Sequence, residues 1–205
     1  MITLHHLRIG RSIFTVWLLE EVGLDYQLEV YHRDPQTMRA PASLRAVHPL
    51  GKSPVIQDGE LVLSESGAIT EYVLSNYDPE YKFHPAPQDS VARARYVQWL
   101  AYAEGSVFAP LLMKMLMIRS GQSHPVIEPF TDAEIALHFD HITDQLGAQE
   151  FILGDSLSGA DFGISYMVSM AERLGLLSNY PKLQRYLDRM TSRPAFARAI
   201  EKAVE

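Results

Sequence analysis

Two short motifs in this 205-residue chain have residue types suited to binding a small peptide-like ligand. The first is Ser53-Pro54 at the start of a predicted strand, where proline cannot donate a hydrogen bond to a sheet and therefore indicates an edge or a bend. If the Ser53–Pro54 bond is cis, it lies in a tight turn. Such a turn leaves the N–H and C=O groups of Ser53 to pair with an extended peptide, as an added strand would.

The second motif is Glu65-Ser66, which opens a predicted helix. Backbone N–H groups at a helix start attract a carboxylate, and the Ser66 hydroxyl can add a hydrogen bond. The Glu65 carboxylate can bind an ammonium group. Each motif alone has a plainer explanation, an edge proline or a serine N-cap. Together they favour a ligand that has an extended peptide portion and the α-amino and α-carboxylate groups of an amino acid.

A predicted β-hairpin and the helix after it position both motifs. Val55–Gln57 and Leu61–Leu63 are short apolar runs on either side of Asp58-Gly59. Asp-Gly between two such runs predicts a type I′ turn, which has positive φ at both central residues. The two motifs therefore lie at opposite ends of a hairpin.

Upstream of the hairpin, the pattern predicts a strand, a helix, a second strand and a short helix. These elements are a strand at Ile2–Leu7, a helix from Ser12 to Glu21 that ends near Gly23, a strand from Tyr26 to Val30 and a helix at Ala42–Val47. The complete order is βαβαββα, and its first three elements predict a parallel strand pair with a right-handed crossover.

The segment at residues 80–88 has little pattern and predicts a linker between a domain at residues 1–79 and an all-helical domain at residues 89–205. The first long helix of the second domain is predicted from Asp89 to about Ser120, bent or broken near Pro110. Two capping boxes and two prolines predict further helix starts, at Thr131–Glu134 (a helix ending at Gly147), Ser158–Asp161, Pro181 and Pro194.

The motifs resemble the glutathione-binding half of the cytosolic glutathione S-transferase family. The matching segments are Gly51-Lys52-Ser53-Pro54-Val55, Asp58-Gly59 and Glu65-Ser66-Gly67-Ala68-Ile69. In the second half, Tyr102–Ser106 and Leu157–Phe162 look like segments of bacterial members, so the resemblance covers nearly the whole chain. It implies a thioredoxin-like α/β N-terminal domain followed by an all-α C-terminal domain, and it assigns Asp161 to capping a buried helix.

The resemblance also implies a reaction and a set of binding residues. The expected enzyme is a transferase that conjugates the thiolate of glutathione, its co-substrate, to a hydrophobic electrophile in detoxification, as a homodimer. Ser53, Pro54, Glu65 and Ser66 are the expected glutathione-binding residues. Lys52 is expected at the glycyl carboxylate, the alternative being a solvated loop lysine.

The residue that activates the thiol should lie after the first strand, in Gly10-Arg11-Ser12. Here the sequence departs from the family, because the tyrosine, serine or cysteine used by other members falls near His5, Gly10 and Arg11 respectively. Two candidates remain. Ser12 could donate its hydroxyl to the thiolate or simply cap the helix, and Arg11 could place positive charge beside the sulfur or be a solvent-facing loop residue.

The second substrate should be apolar. The first long helix has a stripe of side chains at spacings of three or four residues: Trp99, Tyr102, Ser106, Pro110, Met113 and Met117. Methionine is adaptable and suits a permissive pocket, although the same stripe is compatible with an ordinary core. Tyr102 and Met113 are the expected pocket residues.

Composition excludes several classes of function. There is no cysteine, so disulfides, thiolate metal sites and a cysteine nucleophile are absent. The net charge of −7 argues against coating a nucleic acid. The first ten residues do not resemble an export signal and no apolar run predicts a membrane span, so a cytoplasmic protein is expected. The histidines do not have metal-ligand spacing, because the adjacent His5 and His6 point to opposite faces of a strand.

Two alternatives to conjugation remain from the sequence. Glutathione could serve another reaction in the same frame, namely peroxide reduction, isomerisation or dehalogenation. The protein could also be a non-catalytic interaction module of the same fold, which the missing standard activator supports and the intact glutathione-binding motifs oppose.

Overall fold

The computed structural model describes residues 1–204, and these form two compact units. One unit comprises Met1–Tyr81 together with the C-terminal segment that begins at Thr191, and the other comprises Lys82–Met190. Within the described residues the strands are β1 (Ile2–Leu7), β2 (Tyr26–Tyr31), β3 (Val55–Asp58) and β4 (Leu61–Ser64). The α-helices are α1 (Ser12–Val22), α2 (Ala42–Val47), α3 (Ser66–Tyr77), α4 (Ser90–Tyr102), α5 (Phe108–Ser120), α6 (Ile127–Leu146), α7 (Gly159–Arg173), α8 (Pro181–Thr191) and α9 (Pro194–Ala203).

The sheet of the first unit has the order β2-β1-β3-β4. β1 pairs in parallel with β2 and antiparallel with β3, and β3 pairs antiparallel with β4. The predicted βαβαββα order and the parallel first pair are therefore confirmed. Apolar side chains from the sheet and from α1, among them Leu4, Ile56 and Trp17, are fully buried and form the core beneath the proposed binding motifs.

The hairpin between β3 and β4 differs from the prediction in its register. Asp58 pairs with Leu61, so the two turn residues are Gly59 and Glu60 rather than Asp58 and Gly59. Gly59 has φ of 59°, and Glu60 does not have positive φ. Positive φ at the first central residue alone is the pattern of a type II′ turn, so the type I′ prediction was wrong. Asp58 is therefore the last residue of β3, and its carboxylate is not part of the turn.

That carboxylate accepts hydrogen bonds from two tyrosines of α3. The Tyr72 hydroxyl donates at 3.0 Å, the Tyr77 hydroxyl also donates, and the N-terminal ammonium of Met1 lies 3.7 Å away. The hydrogen bond from Tyr77 is the main cause that lowers the pKa of Asp58, and the one from Tyr72 adds to it against the opposing effect of burial. The cluster therefore ties the hairpin to α3.

The last helix, α9, packs against α1 within the first unit, whereas the sequence places residues 191–205 with the helical domain. Glu20 of α1 accepts from Lys202 at 2.6 Å, from Arg198 at 3.1 Å and from Tyr26 at 2.8 Å. Burial opposes ionisation, but these hydrogen bonds together lower the pKa of Glu20. Pairs so distant in the chain leave no local sequence pattern.

In the second unit, the predicted long helix is interrupted one turn earlier than expected. A π-helical turn at Ala103–Val107 separates α4 from α5, and Phe108 N donates to Ala103 O across five residues. Pro110 itself lies inside regular α5. A proline lacks an N–H and crowds the carbonyl four residues before it, so the irregularity falls in the turn that precedes Pro110.

Two of the predicted helix starts are confirmed, at Pro181 and Pro194, and a third is displaced. Helix α6 begins at Ile127, not near Thr131, although its end agrees with the prediction, with Leu146 as the last helical residue and Gly147 as the C-cap. His124 Nδ1 accepts from Val126 N at 3.3 Å and Ile127 N at 3.2 Å, which begins the helix before the Thr131–Glu134 box.

The capping box at the start of α7 is confirmed. Asp161 is fully buried and accepts hydrogen bonds from Ser158 N at 2.8 Å, from Ile152 N at 2.9 Å and from the Tyr186 hydroxyl at 2.9 Å. Its role is to hold the turn before α7, as expected.

Among the helices within residues 1–204, one helical run is long and apolar enough to cross a membrane. The sequence analysis did not predict such a run. This run is Ser90–Ser120, with a mean hydropathy of 1.2 in its apolar window, of which 22% is buried. It packs against α6 and α7 in the second unit. Length and composition alone are weak evidence for a span, because core helices of globular proteins pass the same test.

Candidate functional site

The Ser53–Pro54 peptide bond is cis, as the first motif suggests. The Ser53 side chain is turned toward β1: its Oγ donates to His5 O at 2.7 Å and accepts from Leu7 N at 3.1 Å. The backbone N–H and C=O of Ser53 make no hydrogen bond to another backbone group within residues 1–204. The side chain thus fixes the turn, and the main-chain groups remain suited to pairing with an extended ligand.

The loop that leads into this turn depends on Gly51. Gly51 is buried and has φ of 58°, a conformation that residues with a Cβ rarely adopt. A Cβ placed there would lie 2.6 Å from Cγ of Arg45. The loop therefore needs glycine both for its backbone angle and for its close contact with Arg45.

The second motif forms the start of α3. Glu65 precedes the helix with φ of 71° and ψ of 116°, which is unfavourable for a residue that is not glycine. Its side chain is exposed and makes no capping hydrogen bond. Backbone strain of this kind, on an exposed residue beside a helix N-terminus, is typical of a binding site.

Ser66 is the first helical residue and not the N-cap, so the plain-cap explanation of this serine does not hold. Its Oγ is shielded from solvent and has no hydrogen-bond partner in the described part of the chain. A buried hydroxyl without a partner is uncommon and calls for a specific reason. Since this hydroxyl lies beside the first N–H groups of α3, the site has the chemistry to bind a carboxylate.

Lys52, the residue predicted at the glycyl carboxylate, is exposed. It makes no ion pair with any residue that the structure describes. Its position next to Ser53 is fixed by the Gly51 loop, and its role in binding stays a prediction.

The β1–α1 loop contains both candidates for thiol activation. Arg11 is the N-cap of α1 and is half-buried. Ser12 is fully buried; its Oγ lies 2.9 Å from His6 Nδ1 and accepts from Leu7 N at 3.3 Å. Ser12 is therefore not a simple N-cap, and its hydroxyl is occupied by the protein's own loop. The assignment of either residue to the thiol stays a prediction.

The two histidines of β1 have structural partners on opposite faces, as expected. His5 is buried, with Nδ1 2.9 Å from the Tyr31 hydroxyl and Nε2 2.8 Å from Gln57 Oε1. His6 contacts Ser12, as described above. No group of three or more potential metal ligands occurs among residues 1–204.

One residue of this region was missed by the sequence analysis. Arg33, just after β2, donates to the backbone carbonyls of Arg8, Ile9 and Met38, each at 3.0 Å. It therefore contacts the β1–α1 loop directly. No spacing rule identifies such a residue, because its partners are carbonyl groups that every residue carries.

In the second unit, Tyr102 and Met113 are both half-buried, on α4 and α5. The Tyr102 hydroxyl lies 2.7 Å from His138 Nδ1, and burial raises the pKa of Tyr102 to about 12. Trp99 of the same stripe is stacked on His141 with ring centroids 5.4 Å apart. The stripe is thus part of an aromatic cluster with α6, and its role as a pocket wall stays a prediction.

Comparison with known proteins agrees with this geometry. The chain matches the family model for the glutathione S-transferase N-terminal domain over residues 1–75 and the one for the glutathione S-transferase C-terminal domain over residues 114–203. It is 29% identical to glutathione S-transferase 1 from Saccharomyces cerevisiae, over 99% of this chain and 95% of the yeast protein.

Solved structures give the same result at the level of the fold and of the sequence. A glutathione S-transferase from Actinobacillus pleuropneumoniae is 39% identical, with a TM-score of 0.90 over 99% of this chain and 93% of that one. A glutathione transferase from Methylococcus capsulatus is 26% identical, with a TM-score of 0.82 over 99% and 98% of the two chains. The chain therefore belongs to the glutathione S-transferase family.

Proposed function

We propose that this chain is a glutathione transferase that joins the sulfur of glutathione to a hydrophobic electrophile. The observation that carries the proposal is the start of α3, where the Ser66 hydroxyl is shielded from solvent without a partner in residues 1–204. A carboxylate bound to the first N–H groups of α3 supplies the missing acceptor.

Each end of the glutathione site has a role in this proposal. The γ-glutamyl carboxylate binds Ser66 and the N-terminus of α3, and its ammonium group binds the Glu65 carboxylate. The cysteinyl main chain pairs with the backbone of Ser53 in the turn that Pro54 fixes, just before β3 begins, through hydrogen bonds like those of an added strand. Lys52 binds the glycyl carboxylate.

Activation of the thiol is assigned to the β1–α1 loop. Positive charge and a helix N-terminus both stabilise a thiolate. Arg11 is the N-cap of α1, so its guanidinium adds positive charge at a helix N-terminus. In this proposal Ser12 acts through the loop, since its hydroxyl is bonded to His6 and to Leu7. It stabilises the start of α1 and does not donate to sulfur.

The reaction needs little from the protein beyond these groups. The thiol proton leaves to solvent, the thiolate forms a bond to an electrophilic carbon, and a leaving group such as halide departs with the electron pair of its bond. Catalysis then consists of thiolate stabilisation and orientation. Tyr102 and Met113 contribute apolar surface for the electrophile, and the enzyme works as a cytoplasmic homodimer in detoxification.

Titration calorimetry with glutathione tests the proposal, using Ser66→Ala and a matched control, Ser75→Ala. Ser75 lies on the same helix, but it is exposed and its hydroxyl donates to Glu71 at 3.1 Å. We expect Ser66→Ala to weaken glutathione binding about tenfold, which corresponds to about 1.4 kcal/mol, and Ser75→Ala to leave binding unchanged. Equal affinities in all three proteins would show that α3 does not bind the γ-glutamyl group.

The reaction itself is tested with a panel of substrates: an aryl halide, an organic peroxide, an isomerisable double bond and a dehalogenation substrate. Turnover of the aryl halide with formation of the glutathione conjugate is the expected result. Glutathione binding without turnover of any panel member would favour the non-catalytic interpretation.

A further inference from the structure

We propose that Arg33 is a positioning residue for thiol activation: its guanidinium holds the Ile9–Arg11 loop in the conformation that places Arg11 at the sulfur. The inference rests on the proposed function, because it concerns the loop to which that function assigns the activating charge.

Arg33 donates hydrogen bonds to two segments, the loop after β1 and the segment after β2. Its Nε donates to Arg8 O and its Nη2 donates to Ile9 O, both at 3.0 Å. Its Nη1 donates to Met38 O, also at 3.0 Å. The planar guanidinium thus joins the loop after β1 to the segment after β2, with hydrogen bonds to two consecutive carbonyls of the first and one carbonyl of the second.

Two of those carbonyls belong to residues with an unfavourable backbone. Ile9 and Met38 both have φ of 57°. For a β-branched residue such as isoleucine this conformation is an outlier, and it persists only where surrounding contacts impose it. The Ile9 side chain is 60% exposed, so core packing does not hold it in place. The hydrogen bond from Arg33 is a contact that does.

The turn that follows Arg33 is held by its own hydrogen bonds. The Asp34 carboxylate accepts from Thr37 N at 2.7 Å and from Gln36 N at 3.1 Å, and the backbone of Asp34 pairs with Arg39 at 2.9 Å. Arg33 therefore reaches the loop from the start of a turn that is closed by its own hydrogen bonds at the end of β2.

Gly10 shows how closely the guanidinium approaches. A Cβ placed on Gly10 would lie 3.1 Å from Nη2 of Arg33 and 3.1 Å from Leu7 O. The next residue is Arg11, the N-cap of α1. A second cation thus lies against the residue that precedes the proposed activator.

The test compares Arg33→Lys with Arg39→Lys, a control on an exposed arginine of the same turn. Lysine keeps the charge, but its compact ammonium lacks the planar fork of donors that lets the guanidinium reach carbonyls on two segments at once. For Arg33→Lys we expect glutathione affinity within about threefold of the native protein. We expect kcat/KM for an aryl halide to fall between about tenfold and a hundredfold, with the acidic limb of its pH profile displaced to higher pH. The control should match the native protein in all three measurements.

A third variant separates positioning from general stability and remains informative if Arg33→Lys folds poorly. Glycine adopts positive φ without steric strain, so Arg33→Lys combined with Ile9→Gly should recover part of the lost thermal stability. If Arg33 positions Arg11, the pH profile stays displaced in this double variant. Recovery of both stability and the pH profile would assign Arg33 a purely structural role, and an unchanged profile in Arg33→Lys alone would overturn the proposal.

The outcome is distinguishable from failure of the proposed function. If native protein does not bind glutathione in titration calorimetry, the proposed function is wrong, and the proposed role of Arg33 is rejected together with it. If native protein binds and turns over the aryl halide, only the behaviour of the Arg33 variants decides the inference.

Discussion

Ser12 and Ser53 share one hydrogen-bond donor, the backbone amide of Leu7. This amide lies 3.3 Å from Ser12 Oγ and 3.1 Å from Ser53 Oγ. Ser12 begins α1 and Ser53 precedes the cis proline, so the end of β1 connects the loop assigned to thiol activation with the turn assigned to glutathione binding. Both hydroxyls hold the end of β1, so loss of either is expected to lower stability.

Replacing Ser12 with alanine should therefore affect stability more than catalysis. The variant loses the contact with His6 Nδ1 and the hydrogen bond to Leu7, and we expect the free energy of unfolding to fall by about 1–3 kcal/mol. Chemical denaturation measures this change. The pH profile of kcat/KM should keep its native midpoint, whereas a profile displaced to higher pH at unchanged stability would make Ser12 the direct donor to sulfur.

Replacing Arg11 with alanine should give the opposite pattern. Loss of the positive charge raises the pKa of the bound thiol, so we expect kcat/KM near neutral pH to fall between about tenfold and a hundredfold. Glutathione affinity should change little, because the proposed binding contacts at Ser53 and Ser66 are retained. Arg39→Ala, on an exposed arginine, is the control. A native pH profile in Arg11→Ala would remove Arg11 from the mechanism.

The Gly51 loop can be tested with a pair of glycine variants that share one defect. Gly51 and Gly59 have φ of 58° and 59°, so alanine strains the backbone equally at both, by about 1 kcal/mol. Only at Gly51 does the new Cβ also meet a neighbour, Arg45 Cγ at 2.6 Å. At Gly59 it meets nothing within 4 Å.

We therefore expect Gly51→Ala to displace the turn at Ser53 and to weaken glutathione binding in titration calorimetry. Gly59→Ala should bind glutathione as the native protein does and lose only stability. Similar affinity in the two variants would show that the Gly51 loop does not shape the binding site.

The Asp58 cluster gives a prediction for pH. The hydrogen bond from Tyr77 lowers the pKa of Asp58 in the folded protein, so ionised Asp58 stabilises the fold above the ordinary aspartate pKa of about 4, and this stability is lost as pH falls below it. Asp58→Asn should cost about 1–2 kcal/mol at neutral pH. The difference in melting temperature from native protein should be constant from about pH 5 to pH 7 and shrink below about pH 4.

Asp25→Asn provides the control for that series, because Asp25 is exposed. Its melting temperature should follow that of the native protein at every pH. If the Asp58→Asn difference persists unchanged into acid, the carboxylate charge contributes nothing and the tyrosines are held by other contacts.

The strands and most helices could be predicted because their signals are local. Alternating residues mark β2, and prolines mark the starts of α8 and α9. The two binding motifs were visible for a similar reason: Pro54 lacks an N–H, and Glu65-Ser66 opens a helix. Each of these features is a property of the residue itself or of its immediate neighbours.

What the sequence did not reveal depends on contacts between distant segments. Arg33 donates hydrogen bonds to backbone carbonyls of the β1–α1 loop. Every residue has such a carbonyl, so these contacts cannot be recognised from residue types. The positive φ of Glu65 is likewise imposed by its surroundings, since glutamate has no preference for it. The contact between Arg198 of α9 and Glu20 of α1 was also not predicted, because the two residues are far apart in the sequence.

The most direct test of the account is a crystal structure of the protein soaked in glutathione. The account predicts the γ-glutamyl carboxylate about 3 Å from the N–H and Oγ of Ser66, and the cysteinyl main chain paired with Ser53 at similar distances. Glutathione bound elsewhere, or an empty groove beside Ser53 and Ser66 at a concentration that saturates the enzyme in solution, would contradict it.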